Sequence, residues 1–126
     1  MQKNPVCLWE IGTNDTGSVR DFLKQVFEWE INAAPDHEAE YHEIKTDGSS
    51  NGFYGGLFFK VPEDIPPYLT VYIQVEDIEA KAKEIVEAGG TILRGPFLVG
   101  EGGKFCFFKE PQGQMLAMVQ WKKSET

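Results

Sequence analysis

The chain has 126 residues, 41% of them hydrophobic and 13% aromatic, enough for one ordinary globular domain with a real core. Its 20 acidic and 12 basic residues leave a net charge of -8, which argues against nucleic acid, whose phosphates need clustered Lys and Arg. The same charge disfavours an anionic membrane surface, no apolar run is long enough to span a bilayer, and the opening MQKNPVCLWE lacks a hydrophobic signal region, so a cytoplasmic protein is expected.

In chain order, Val6 to Ile11 alternates as a strand, with Val6, Leu8 and Glu10 on one face and Cys7, Trp9 and Ile11 on the other. The turn-rich TNDTGS follows. Val19, Phe22, Leu23, Val26 and Phe27 recur at helical spacing and predict a helix with a wide apolar stripe. Trp29 to Ile31 reads as a short strand, 33–40 as a polar connection, Tyr41 to Thr46 as a strand and DGSSNG as a turn. Phe53 to Val61 is a strand whose glycine pair marks a bulge or a close backbone approach. The segment PEDIPP, 62–67, suits neither helix nor strand and is expected to link two halves.

The second half opens with LTVYIQVEDIEAKAKEIVEAGG. Leu69 to Val75 alternates with period two, Asp77 stands where an N-cap belongs, and Ile78, Ala82, Ile85 and Val86 recur at helical spacing. Gly89-Gly90 ends the helix, because glycine takes the left-handed conformation without steric cost. Thr91 to Leu93 is predicted as a short strand, and Gly95 to Gly103 as a glycine-rich loop or mobile lid. Phe105 to Lys109 is an aromatic strand, Glu110-Pro-Gln-Gly113 a tight turn and Met115 to Trp121 the closing strand.

Strand, turn, Asp and helix occur twice, with Asp15 and Asp77 standing 62 residues apart. The expected fold is α+β: two tandem βαβββ modules, 5–61 and 68–121, joined by 62–67 into one domain. A four-stranded half could not bury its own sheet face, so the halves must pair.

Three stretches carry a resemblance: TNDTGSVRDFLKQVFEWE, VEDIEAKAKEIVEAGG and FCFFKEPQGQMLAMVQW. In this order and spacing they resemble the vicinal oxygen chelate superfamily, which includes glyoxalase I, bleomycin resistance proteins and extradiol dioxygenases. Glu28 stands where such chains usually carry glycine, and Glu110 where they usually carry Asp. The resemblance implies that the two modules form curved mixed sheets around a cleft, which usually holds a divalent metal, and often a homodimer. Its ligand positions fall here on Leu8, Thr70, Ala117 and the region of Gly55, Gly56 and Leu57. Leu and Ala have no donor atom and a lone Thr hydroxyl is a poor ligand, so no metal and no cofactor are expected.

Other candidates are weighed from their own chemistry. His37 and His42 form HExxxH, which lacks the i, i+4 spacing of a helical zinc motif and reads as a solvated strand edge. Cys7 and Cys106 each lie in an apolar run and are expected to be buried, reduced thiols. Glu10, a carboxylate in an apolar strand, is the one candidate general base, with a hydrogen-bonding role to Tyr72 as the structural alternative. Glu10, Thr70, Tyr72, Gln74, Phe105 and Trp121 are the expected ligand-binding set, with Phe107, Met115, Ala117 and Val119 in the same alternation. Lys104 is a candidate charge for an anionic ligand.

The expected function is binding of a small, partly aromatic molecule in the cleft of a metal-free member of this superfamily. The alternative is a metal-dependent lyase, isomerase or dioxygenase with non-standard ligands, for which Glu10, His42 and Gln74 are the donors available.

Overall fold

The computed structural model describes residues 4–33, 41–46, 55–61, 66–99 and 102–122. Five elements follow one another twice. The first set is β1 (Val6–Thr13), α1 (Thr16–Val26), β2 (Glu30–Ala33), β3 (Tyr41–Lys45) and β4 (Gly55–Lys60). The second is β5 (Tyr68–Gln74), α2 (Ile78–Glu87), β6 (Thr91–Val99), β7 (Gly103–Lys109) and β8 (Met115–Trp121). This is the duplicated βαβββ order that the two Asp-helix motifs imply. Residue His37 and most of the 62–67 segment lie outside the described residues.

Local chemistry sets the helix ends. The Asp15 carboxylate accepts the Ser18 amide at 3.0 Å and the Asp77 carboxylate accepts the Ala80 amide at 3.1 Å, so both helices start on a capping side chain. The Ile78 amide donates to the Gln120 side-chain oxygen at 2.8 Å, which ties the start of α2 to β8. Gly89 follows α2 with φ 101°, a left-handed conformation that glycine adopts freely. The 110–113 turn closes with the Gly113 amide donating to the Glu110 carbonyl at 2.8 Å. Glu110 accepts the Gln114 amide through its own carboxylate at 2.8 Å.

The chain divides into two compact units, Leu8–Leu69 and Met1–Cys7 with Thr70–Thr126. In the first, the strands run β2-β3-β4-β1, antiparallel except for β4 against β1, which is parallel. Leu23 of α1 is buried with Ile31 and Ile44, and Trp9, Ile11, Val19 and Trp29 pack against them. The α1 stripe is only partly covered. Phe22, Val26 and Phe27 are 60%, 55% and 44% exposed, so the apolar face predicted as one core stripe has two parts. Phe27 instead stacks on Trp29 at 4.9 Å between centroids.

In the second unit the order is β5-β8-β7-β6, again with one parallel pair, β5 against β8. Val75, Ile78, Cys106, Phe108 and Met118 form a core under α2, joined by Ile73, Ala82, Ile85, Ile92 and Leu116. A cavity of about 300 Å³ remains beside it, lined by Asn4, Ile73, Val75, Lys81, Ile85, Phe108 and Met118. Its two polar side chains are engaged elsewhere, Asn4 donating to the Gln74 carbonyl at 3.1 Å and Lys81 pairing with Glu84 at 2.9 Å.

One predicted element is corrected. The stretch from Gly95 is not a loop or lid: β6 continues to Val99 and pairs with β7 through Phe97↔Phe105 and Val99↔Gly103. The strand survives Gly95-Pro96 because the register shifts on both sides of Arg94, and a bulge absorbs residues that a regular ladder could not.

Candidate functional site

The alternation of β7 sends Cys106 and Phe108 to the α2 side, which leaves Phe105 and Phe107 on the other face. Register then assembles that face. One row across the sheet is Tyr72, Ala117 and Phe107; the next is Gln74, Val119 and Phe105. Ala117 and Val119 are wholly buried, and the larger rings close over this small-residue centre. Tyr72 meets Phe105 edge-on at 5.2 Å and Phe107 at 6.0 Å. Phe97 of β6 stacks on Phe107 at 6.2 Å, and Trp121 meets Phe105 edge-on at 6.1 Å. Tyr72 is 2% exposed, whereas Phe97, Phe105, Phe107 and Trp121 remain half-buried. Each such ring pair adds about 0.5–1.5 kcal/mol beyond area burial, so the rings support one another in this arrangement.

The expected binding residues occupy two separate settings. Tyr72, Phe105 and Trp121 belong to the aromatic face, and Gln74 lies in its second row. Thr70 is 3% exposed and its hydroxyl donates to the Met115 carbonyl at 2.9 Å, which commits it to joining β5 and β8. Glu10 lies in the first unit, 4% exposed, and accepts the Tyr68 phenol at 2.7 Å. Gly12 makes that bond possible: a Cβ there would fall 2.1 Å from the Tyr68 ring, so only glycine lets the ring lie against β1. Tyr68 is a site residue that the sequence reading passed over, since its ring meets Glu10 only across a sequence separation of 58.

Two expectations are overturned by geometry. Lys104 does not serve the aromatic face; its ammonium pairs with Glu79 of α2 at 3.1 Å, on the opposite side of the sheet. Glu10 and His42 cannot act together. Glu10 shares a row with Leu57 and Glu43, and His42 shares one with Phe58 and Ile11, so the two side chains leave the sheet on opposite faces.

Both cysteines are buried and free of disulfides. Burial pushes the Cys7 thiol above its ordinary 9.0, an effect partly offset by a hydrogen bond with its own backbone and then by one with the Trp121 side chain. Burial pushes Cys106 up as well. The unfolded chain therefore loses these protons first, and stability falls as pH rises past about 9. Urea unfolding at pH 8 and pH 10 should show this decline, shallower in a Cys7→Ala/Cys106→Ala variant. Equal slopes in the two proteins would contradict it.

Paired βαβββ modules with one apolar sheet face define a class of small α+β proteins in which the sheet, not a loop, carries the candidate site. A model for the Glyoxalase/Bleomycin resistance protein/Dioxygenase superfamily matches residues 7–118. The chain belongs to that superfamily. It is 25% identical over 113 residues to "Putative glyoxylase CFP32" of Mycobacterium tuberculosis, covering 88% of this chain and 43% of that protein. It is 24% identical over 127 residues to the anthracycline biosynthesis protein DnrV of Streptomyces peucetius, covering 91% and 46%. The chain thus spans about half the length of the curated relatives it matches. Among solved structures, methylmalonyl-CoA epimerase of Streptomyces coelicolor superposes with a TM-score of 0.68 at 14% identity, covering 99% of both chains. The Mn(II)-bound glyoxalase of Novosphingobium aromaticivorans gives 0.60 at 14% identity, covering 98% of this chain and 44% of that one. These likenesses show the fold.

The residues at the superfamily's metal positions do not fit a divalent ion. Leu8 and Ala117 offer no donor, Ala117 is sealed under the aromatic face, and the Thr70 hydroxyl is bonded to a carbonyl. Among the described residues, no group of three His, Cys, Asp or Glu side chains is placed to hold a metal. No helix among them is long and apolar enough to cross a membrane.

Proposed function

We propose that this protein binds a small, partly aromatic molecule on the face formed by Tyr72, Phe97, Phe105, Phe107 and Trp121, without a metal. The half-buried rings above a core of small residues carry this reading. An apolar surface with fixed ring geometry offers stacking area at low ordering cost. The protein is read as one domain of two modules, acting as a homodimer in the cytoplasm. The exposed Phe22, Val26 and Phe27 on α1 support association, because contiguous apolar side chains favour burial against a partner.

The test uses 2-naphthalenemethanol as a neutral probe. Titration of EDTA-treated protein, followed by amide NMR, should saturate at one probe per chain and shift signals of β6, β7 and β8. Phe105→Ala should weaken binding about 5- to 10-fold, the loss of one stacking contact. Binding that appears only after Mn or Zn is added, or that leaves those strands unshifted, would defeat the reading.

Glu10 carries a second reading, an enzyme that moves a proton. A buried carboxylate held by a phenol is positioned as a proton acceptor for a carbon acid. Against a panel of carbon-acid substrates in D2O, Glu10→Gln should then abolish deuterium incorporation while naphthalenemethanol still binds.

A further inference from the structure

We propose that Arg94 makes the aromatic face selective for planar aromatic ligands that carry a carboxylate. This rests on the aromatic face as the binding surface, the reading given above.

The placement of Arg94 is a product of the β6 bulge. Residues three apart on a regular strand point to opposite faces. Here the register shifts between Arg94 and Phe97, so Arg94 pairs with Phe107 and Phe97 with Phe105. Phe105 and Phe107 share a face, and Arg94 and Phe97 therefore both join it. Gly95 permits the shift. Its φ is +95°, and a Cβ there would lie 2.7 Å from the Phe105 carbonyl oxygen, so no other residue fits without strain.

The guanidinium carbon of Arg94 then sits 5.1 Å from the Phe97 ring centroid, within cation–π range. That contact uses the charge and leaves the N–H fork available. Arg20, Lys45, Lys81 and Lys104 are each paired with a carboxylate, whereas Arg94 has none among the described residues. Lys24, Lys83, Lys109 and Lys122 likewise have no carboxylate partner among the described residues, but Arg94 is set against the rings, paired with Phe107 across the ladder and lying over Phe97. It is also exposed at the rim of the rings. A planar aromatic carboxylate matches both features: the ring lies on Phe97, Phe105 or Phe107, and the carboxylate takes the guanidinium fork. The chain as a whole carries -8, which repels anions, so any preference for one must come from a local cation.

The experiment compares 2-naphthoate, an anion, with 2-naphthalenemethanol, which is neutral and of nearly equal shape. Isothermal titration of the wild-type protein at low salt should give naphthoate about 5- to 10-fold tighter binding, the size of a partly exposed charge-assisted hydrogen bond. Arg94→Gln should bring the two within about 2-fold, chiefly by weakening naphthoate, and Arg94→Lys should fall between, since it keeps the charge and loses the fork. Added salt should erode the naphthoate preference in wild type alone. Equal affinity of wild type for both probes would overturn the selectivity and leave the binding face standing. An equal loss of both probes in Arg94→Gln would also overturn it, because Arg94 would then act by packing. If neither probe binds, the binding face itself falls.

Discussion

Tyr72→Ala is expected to lower the free energy of unfolding by about 3–5 kcal/mol, the range for truncating a buried aromatic to alanine. Tyr72 is among the largest fully buried side chains, and its ring makes edge contacts with both Phe105 and Phe107. Its neighbour in the row is Ala117, whose methyl cannot move in to fill the space. The cavity would therefore persist and the two phenylalanines would lose their lateral support. Urea denaturation measures the loss, with Leu98→Ala as the reference, since Leu98 is 72% exposed and should change stability by under about 0.5 kcal/mol. Probe binding should fail in Tyr72→Ala even at temperatures where the variant is folded, because the platform has lost its fixed geometry. A loss near 1 kcal/mol would mean that the rings repack freely and that the face is not rigid.

Gly95→Ala is the second large effect, expected at about 2–4 kcal/mol from two independent causes. The first is conformational: at φ +95° an L side chain is strained. The second is steric, and here the obstacle is backbone, because the Phe105 carbonyl oxygen belongs to the neighbouring strand and cannot swing aside as a side chain would. Relief requires β6 to part from β7 at the bulge, which removes Phe97 and Arg94 from the face together. The variant should thus lose both stability and naphthoate preference. By contrast, Gly17→Ala meets nothing closer than 3.7 Å and should be near neutral. Stability of Gly95→Ala equal to wild type would show that the bulge relaxes without cost.

Much of this was legible in the residues alone, and for a common reason. Helix caps at Asp15 and Asp77, the stop at Gly89, the turn at Glu110–Gly113 and the alternation of β7 depend on neighbours within a few positions. Local chemistry repeated at a fixed offset was enough to predict the duplicated βαβββ order and, through it, the superfamily. The absence of donor atoms at Leu8 and Ala117 is likewise a property of composition that no fold alters.

The rest required register. Gly95-Pro96 looked like the end of β6, because the two residues most hostile to a strand stand together; only pairing with β7 shows the strand passing through them. Phe97 consequently read as part of a glycine-rich loop, and Arg94 fell between two predicted elements, so neither was assigned to the aromatic face. Lys104 was a candidate charge for an anionic ligand until the fold placed Glu79 of α2 beside it. The α1 stripe had the same helical spacing at Leu23 and at Phe22, yet Leu23 is 8% exposed and Phe22 60%. Periodicity states which side chains share a face; it does not state how far the opposing sheet extends beneath them. Glu10 shows the same limit at one residue. The sequence presents an acid in an apolar strand, and the tertiary structure alone brings Tyr68 over Gly12 to hold it, since a contact across 58 positions is set by packing and not by local preference.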